Sequence, residues 1–134
     1  MSMLPVWIPR LFIVAAIYYG GLGATGIWWP ELWYRVSGIS AGEGQFFVDA
    51  FGALLLALGA ASLLAVFKPE GRPTLILVLF LANLFDLFVI VGAVFSGQLG
   101  IGPGALFIGA DSTWLLVLGY VLSINRKAAI AQKF

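Results

Sequence analysis

Four apolar stretches, over about residues 8–29, 46–67, 74–96 and 105–124, fill almost the whole chain. Each is long enough to cross a bilayer, whose hydrocarbon core of about 30 Å needs about 20 helical residues at 1.5 Å rise. With 62% hydrophobic and 10% charged residues and a mean hydropathy of +1.06, the composition offers no material for an aqueous surface. The expected fold is all-α: a polytopic membrane protein, a bundle of four transmembrane helices forming one domain over 1–134. The loops leave no room for a soluble catalytic module.

Charge placement sets the expected orientation. Arg10 stands at the start of the first span, Lys68 and Arg72 lie between the second and third, and Arg126, Lys127 and Lys133 follow the fourth. Alternating spans put all six on one side and leave Arg35 alone on the other. Short cytoplasmic loops are rich in Lys and Arg, so both termini are expected in the cytoplasm. The bias argues against dual-topology transporters, which insert in both orientations. The first span is expected to stay as an anchor rather than be cleaved as a leader, because it is long and ends in the interfacial pair Trp28-Trp29.

Two residue types are absent altogether. With no Cys, disulfides, thiolate nucleophiles and iron–sulfur ligation are excluded. With no His, the usual haem and zinc ligand and the commonest general base are gone. No catalytic or metal-ligating set is expected, nor any covalently or metal-bound cofactor.

The connections carry their own signals. Gly20, Gly21, Gly23 and Gly26 give the first span a face that another backbone can approach closely. Residues 30–44 read as a short interfacial helix, opened by Pro30 and carrying the favourable Glu31/Arg35 spacing, followed by a Gly/Ser turn. Trp33 and Tyr34 are expected at the headgroup level, and Arg35 is a candidate for a lipid phosphate or an outer carboxylate. Residues 68–73 form a tight turn with two prolines. Residues 96–104 read as an uncharged, flexible connection. A Leu-Leu-x-Leu-Gly run occurs at 55–59 and again at 115–119, which suggests a two-hairpin repeat.

Three aspartates stand inside the spans: Asp49, Asp86 and Asp111. Asp49 heads a small-residue stripe (Gly52, Ala53, Leu56, Ala57, Ala60), and such stripes face other helices, so Asp49 is expected inside the bundle. Asn83 and Asp86 are three apart and share a helix face. A charge near mid-depth costs about 2.5–3.5 kcal/mol on insertion scales, so Asp86 either carries a proton or meets a donor, water or cation. Intramembrane ionisable groups mark functional sites by default. The candidate residues are therefore Asp86, Asn83, Asp49, Asp111 and Arg35, with Ser112, Thr113 and the tyrosines at 18 and 19 as possible partners. Converging acids suit a lipophilic molecule with a cationic or hydrogen-bonding head. No nucleophile–base pair or phosphate-binding loop is visible.

The outline resembles the DoxX-like superfamily of small four-helix membrane proteins. The resemblance lies in the glycine-rich first helix and Trp-Pro-Glu-Leu-Trp at 29–33. It extends to Asp-Ala-Phe-Gly-Ala-Leu-Leu-Leu-Ala-Leu-Gly at 49–59 and the Pro-bearing turn at 69–73. It implies a membrane subunit or assembly partner of oxidoreductase systems, often quinone-linked. A wider likeness to sterol-isomerase-like and ligand-binding bundles implies acidic pocket roles for Asp49 and Asp86. The leading expectation is an accessory subunit of a larger membrane complex in a bacterial cytoplasmic membrane, not catalytic alone, with quinone or lipid as possible cofactor. Its expected partners are membrane lipids and other membrane subunits or further copies of itself, and no nucleic acid. The alternatives are an enzyme or binding protein for a sterol-, lipid- or quinone-like ligand held by buried aspartates, and an oligomeric proton- or ion-coupled transporter.

Overall fold

The computed structural model describes residues 7–38 and 41–131. Residues 1–6, the Ile39-Ser40 part of the predicted turn and Lys133 lie outside the described residues. The described chain is all-α: α1 (Trp7–Trp28), α2 (Pro30–Ser37), α3 (Ala41–Phe67), α4 (Arg72–Phe95) and α5 (Ile101–Ala131), with a 3₁₀ turn at Pro69–Gly71. Four helices are long and apolar enough to span a membrane, and the short α2 follows the first of them.

Each break has a local cause. Pro30 opens α2, and Gly38 closes it at φ 73°, with its N–H bonded to the Tyr34 carbonyl at 2.9 Å; only glycine adopts that conformation without steric cost. Arg72 closes α3 from the far side of the Pro69–Gly71 turn. Its Nε donates to the Ala65 carbonyl (2.7 Å) and its Nη2 to that of Val66 (2.9 Å). A cation on the last carbonyls of a helix also meets the negative end of its dipole.

Three boundaries differ from expectation. α3 begins at Ala41 and not after Gly44, and α5 begins at Ile101 and not near 105. Gly102-Pro103-Gly104 is thus the first turn of α5, where proline sacrifices no intrahelical hydrogen bond. At its other end α5 runs on to Ala131, past the basic residues expected to end it.

The helices form two antiparallel pairs, α1 with α3 and α4 with α5. Glycine sets the first. A Cβ on Gly23 would lie 2.6 Å from the Gly52 carbonyl oxygen, and one on Gly59 would lie 2.6 Å from the Gly20 nitrogen. Any side chain there would force the backbones apart. The second repeat glycine, Gly119, faces the ring of Phe80 rather than a backbone, so the Leu-Leu-x-Leu-Gly runs share a position but not a contact.

Between the pairs the spacing is set by aromatic rings. Among the described residues, the backbones of α1 and α5 do not come within 8 Å of each other. They meet through Trp7 on Tyr120, with centroids 6.4 Å apart, and through Tyr18 and Tyr19 on Trp114, each at 5.5 Å. Towards the Pro69–Gly71 end the space is solid: Ile8, Phe12, Ile76, Leu79, Leu118 and Val121 are fully buried there. Towards the α2 end it is hollow.

The glycine seam corrects one expectation. The face of α3 that meets α1 carries Val48, Gly52, Leu55, Gly59 and Ser62, all buried, whereas Asp49, Ala53, Ala57 and Ala60 are exposed on the other side. The expected stripe is split: Gly52, with Gly59 on its flank, takes the α1 interface because glycines allow the closest approach, while Ala53, Ala57 and Ala60 are left exposed and Asp49 is turned out of the bundle.

The seam can be probed by adding one methyl. Gly23→Ala is expected to cost about 1–3 kcal/mol, as overpacking does, and to lower the thermal midpoint in detergent. Gly21→Ala, with nothing within 4 Å of its new Cβ, should leave it unchanged or raise it slightly through helix propensity.

Candidate functional site

The hollow half encloses a cavity of about 760 Å³, within the range of small-molecule sites. Its floor is polar and its walls are apolar. α1 supplies Tyr18 and Tyr19, α4 supplies Asn83 and Asp86, and α5 supplies Asp111. Leu54, Leu55 and Leu58 of α3 and Val89, Ile90 and Ala93 of α4 form the walls. Trp33 and Ser37 of α2, with Phe51, Gln98, Leu99 and Phe107, line the α2 end.

Helical spacing assembles the floor. Asn83 and Asp86 are one turn apart on α4, and the depth of Asp111 on α5 matches theirs because α4 and α5 are antiparallel neighbours. Asn83 is 4% exposed, and its Nδ2 donates both to the Tyr19 hydroxyl and, at 2.6 Å, to the Leu79 carbonyl. This ties α1 to α4 across the cavity floor.

The Asp86 and Asp111 carboxyl groups lie within hydrogen-bonding reach of each other. Asp111 is only 5% exposed, and its Oδ2 is buried without a hydrogen-bond partner. Buried polar atoms are nearly always satisfied, so an orphan of this kind calls for an explanation. Two neighbouring buried carboxyls favour a shared proton or a cation between them, since two bare negative charges so placed repel. The pair can therefore donate a hydrogen bond to a carbonyl or hydroxyl oxygen, or accept an ammonium.

Of the expected site residues, Asp86, Asn83 and Asp111 come together with the two tyrosines. Asp49 and Arg35 do not: both are exposed, and neither lines the cavity. Thr113 is also exposed and spends its hydroxyl on the Gly109 carbonyl at 2.8 Å. Among the described residues, no group of three or more acidic, His or Cys side chains is placed to hold a metal.

Trp33 was not foreseen as part of the site. Its indole turns inward to line the cavity. It stacks on Phe107 with centroids 6.1 Å apart and 13° between the planes, and meets Phe51 edge-on at 5.8 Å. Its Nε1 donates to Thr25 Oγ1 at 3.0 Å. The signal for this was present in α2 itself: Trp33 and Ser37 are four apart, on one face of a helix whose Leu32 and Val36 are exposed.

No family model matches the chain, and neither a curated protein nor a solved structure matches it. The resemblance to DoxX-like bundles thus rests on its residues alone.

The Tyr19–Asn83 bond gives a second test. Tyr19→Phe should cost about 0.6 kcal/mol and at most about 1.7 kcal/mol, the range for interhelical hydrogen bonds in membranes. Adding Asn83→Leu should cost little more, because no donor or acceptor is then left unpaired. Thermal unfolding of the single and double variants in one detergent checks both.

Proposed function

We propose that the protein binds a lipophilic small molecule in the cavity and holds its polar head on Asp86 and Asp111. One observation carries the reading: the orphaned Asp111 oxygen on the cavity floor, beside a second carboxyl. A buried acid pair is expensive in a membrane, and apolar packing would serve stability better. A ligand head with an amine, hydroxyl or carbonyl would satisfy it, which keeps sterol-, lipid- and quinone-like molecules in view. No reaction is assigned. The same reading sets the protein in a bacterial cytoplasmic membrane with its cation-rich end inside.

A second reading, that of an accessory subunit, is favoured by a different surface. Ala50, Ala53, Ala57 and Ala60 are exposed along α3 below Asp49, and small residues suit close packing of another transmembrane helix. The two readings are compatible, since the cavity and this face lie on different sides of α3.

The binding reading is tested with N,N-dimethyldodecylamine, titrated into protein in nanodiscs and followed by native mass spectrometry. Asp86→Asn and Asp111→Asn should each weaken binding at least tenfold, and Asp49→Asn should leave it unchanged. Equal weakening by all three would reduce the effect to general surface charge and refute the site.

A further inference from the structure

The floor of the cavity lies deep. Asp86 is nine residues from the end of α4 at Phe95, and Asp111 is ten residues into α5 from Ile101. At 1.5 Å rise, both sit about 14–15 Å from the α2 end, near the middle of a hydrocarbon core of about 30 Å. From there the cavity runs towards the α2 end, and its lining changes from Tyr, Asn and Asp to a mainly apolar set of Leu, Val, Phe and Trp, with Ser37 and Gln98 as uncharged polar groups at the α2 end. The polar part of a ligand therefore belongs at mid-depth and its apolar part nearer the membrane surface. This is the reverse of how an amphiphile lies in its own leaflet.

The walls differ in closure. The floor rests on the solid half of the bundle, and at the α2 end the Trp33–Phe107 stack and buried Leu99 cover the cavity beside Gln98, which is exposed and also lines it. Between α3 and α4 the packing is sparse compared with either helix pair. There, Leu54 and Val89 line the cavity while remaining 54% and 68% exposed. Leu54 and Val89 are apolar and belong at once to the cavity wall and to the outer surface, which marks an opening suited to a lipophile, whereas the exposed lining residue at the α2 end, Gln98, is polar. At this depth, what lies outside is acyl chain.

Resting on the binding site proposed above, we infer that the cavity is loaded sideways from the bilayer, between α3 and α4, with the ligand's head inward. It therefore takes hydrophobes bearing one small head and rejects phospholipids. A phosphate would meet the Asp86–Asp111 pair as like charge, and it would have to shed its hydration at mid-depth with no cation to receive it. A neutral amine, alcohol or carbonyl head crosses the acyl layer at far lower cost and finds its partner at the floor.

The chain has five tryptophans, and two report on opposite ends of the cavity: Trp33 at the roof and Trp114, packed on Tyr18 and Tyr19, at the floor. Two variants, each keeping one of these and carrying Phe at the other four positions, are placed in nanodiscs. The probe is N,N-dimethyl-6-(4-bromophenyl)hexylamine, whose aryl bromine quenches tryptophan on contact at the tail end of the molecule. Quenching is expected in the Trp33 variant, with much less in the Trp114 variant. A phosphocholine bearing the same bromophenylhexyl tail should quench neither. Leu54→Phe with Val89→Phe should slow quenching by the amine several-fold.

The reverse pattern, Trp114 quenched and Trp33 spared, would overturn the head-inward orientation. Equal quenching by the phosphocholine would overturn the selectivity, and an unchanged rate in the Phe variant would overturn the route. If native mass spectrometry finds no amine bound to the unsubstituted protein, the binding reading itself falls. That result is distinct from bound amine with the wrong quenching pattern.

Discussion

The contact of α1 with α3 through glycine sets the shape of everything else. Where Gly23 meets Gly52 and Gly59 meets Gly20, two backbones touch with no side chain between them. One helix pair is thereby drawn as close as helices can come. The two sides between the pairs stay wide: tyrosine and tryptophan rings fill the one between α1 and α5, and the one between α3 and α4 is sparsely packed. A four-helix bundle with a glycine seam on one side and an aromatic spacer on the next cannot close evenly along its length. Aliphatic side chains fill the difference at the Pro69–Gly71 end, and at the α2 end nothing does.

The polar groups stand at the boundary between these two halves. Lower, they would be locked in a dry core with no room for a partner; higher, they would reach the headgroup layer and lose their effect. The Asn83 amide, bonded to Tyr19, fixes the floor and joins the two helix pairs. Asp86 and Asp111 are left facing the open space with at least one acceptor oxygen unspent. In a chain without His or Cys, these carboxyls are the strongest polar chemistry in the described part of the spans. On the proposed reading they recognise a head group.

Much of this was legible before the fold. The four spans follow from length and hydropathy, and the role of Asn83 and Asp86 as one constellation follows from their spacing of three. The choice between two small-residue faces on α3 was not legible. Gly52/Gly59 and Ala53/Ala57/Ala60 both promise close packing, and only the position of the glycines on α1 decides between them. Asp49 was misplaced for that reason. Trp33 escaped notice because an interfacial tryptophan has the same sequence signature whether its ring lies in the headgroups or folds back over a cavity. The meeting of Asp86 with Asp111 depends on the register of α4 against α5, which a short turn restricts but composition does not specify.

The most direct measurement is gentle extraction of the protein from its native membrane, followed by native mass spectrometry of what stays bound. A small lipophile retained in stoichiometric amount, and absent when Asp86 and Asp111 are both replaced by Asn, is the expected result. A protein that emerges free of any small molecule, or one whose bound lipophile survives loss of both aspartates, would contradict the assignment of the cavity floor as the head-group site.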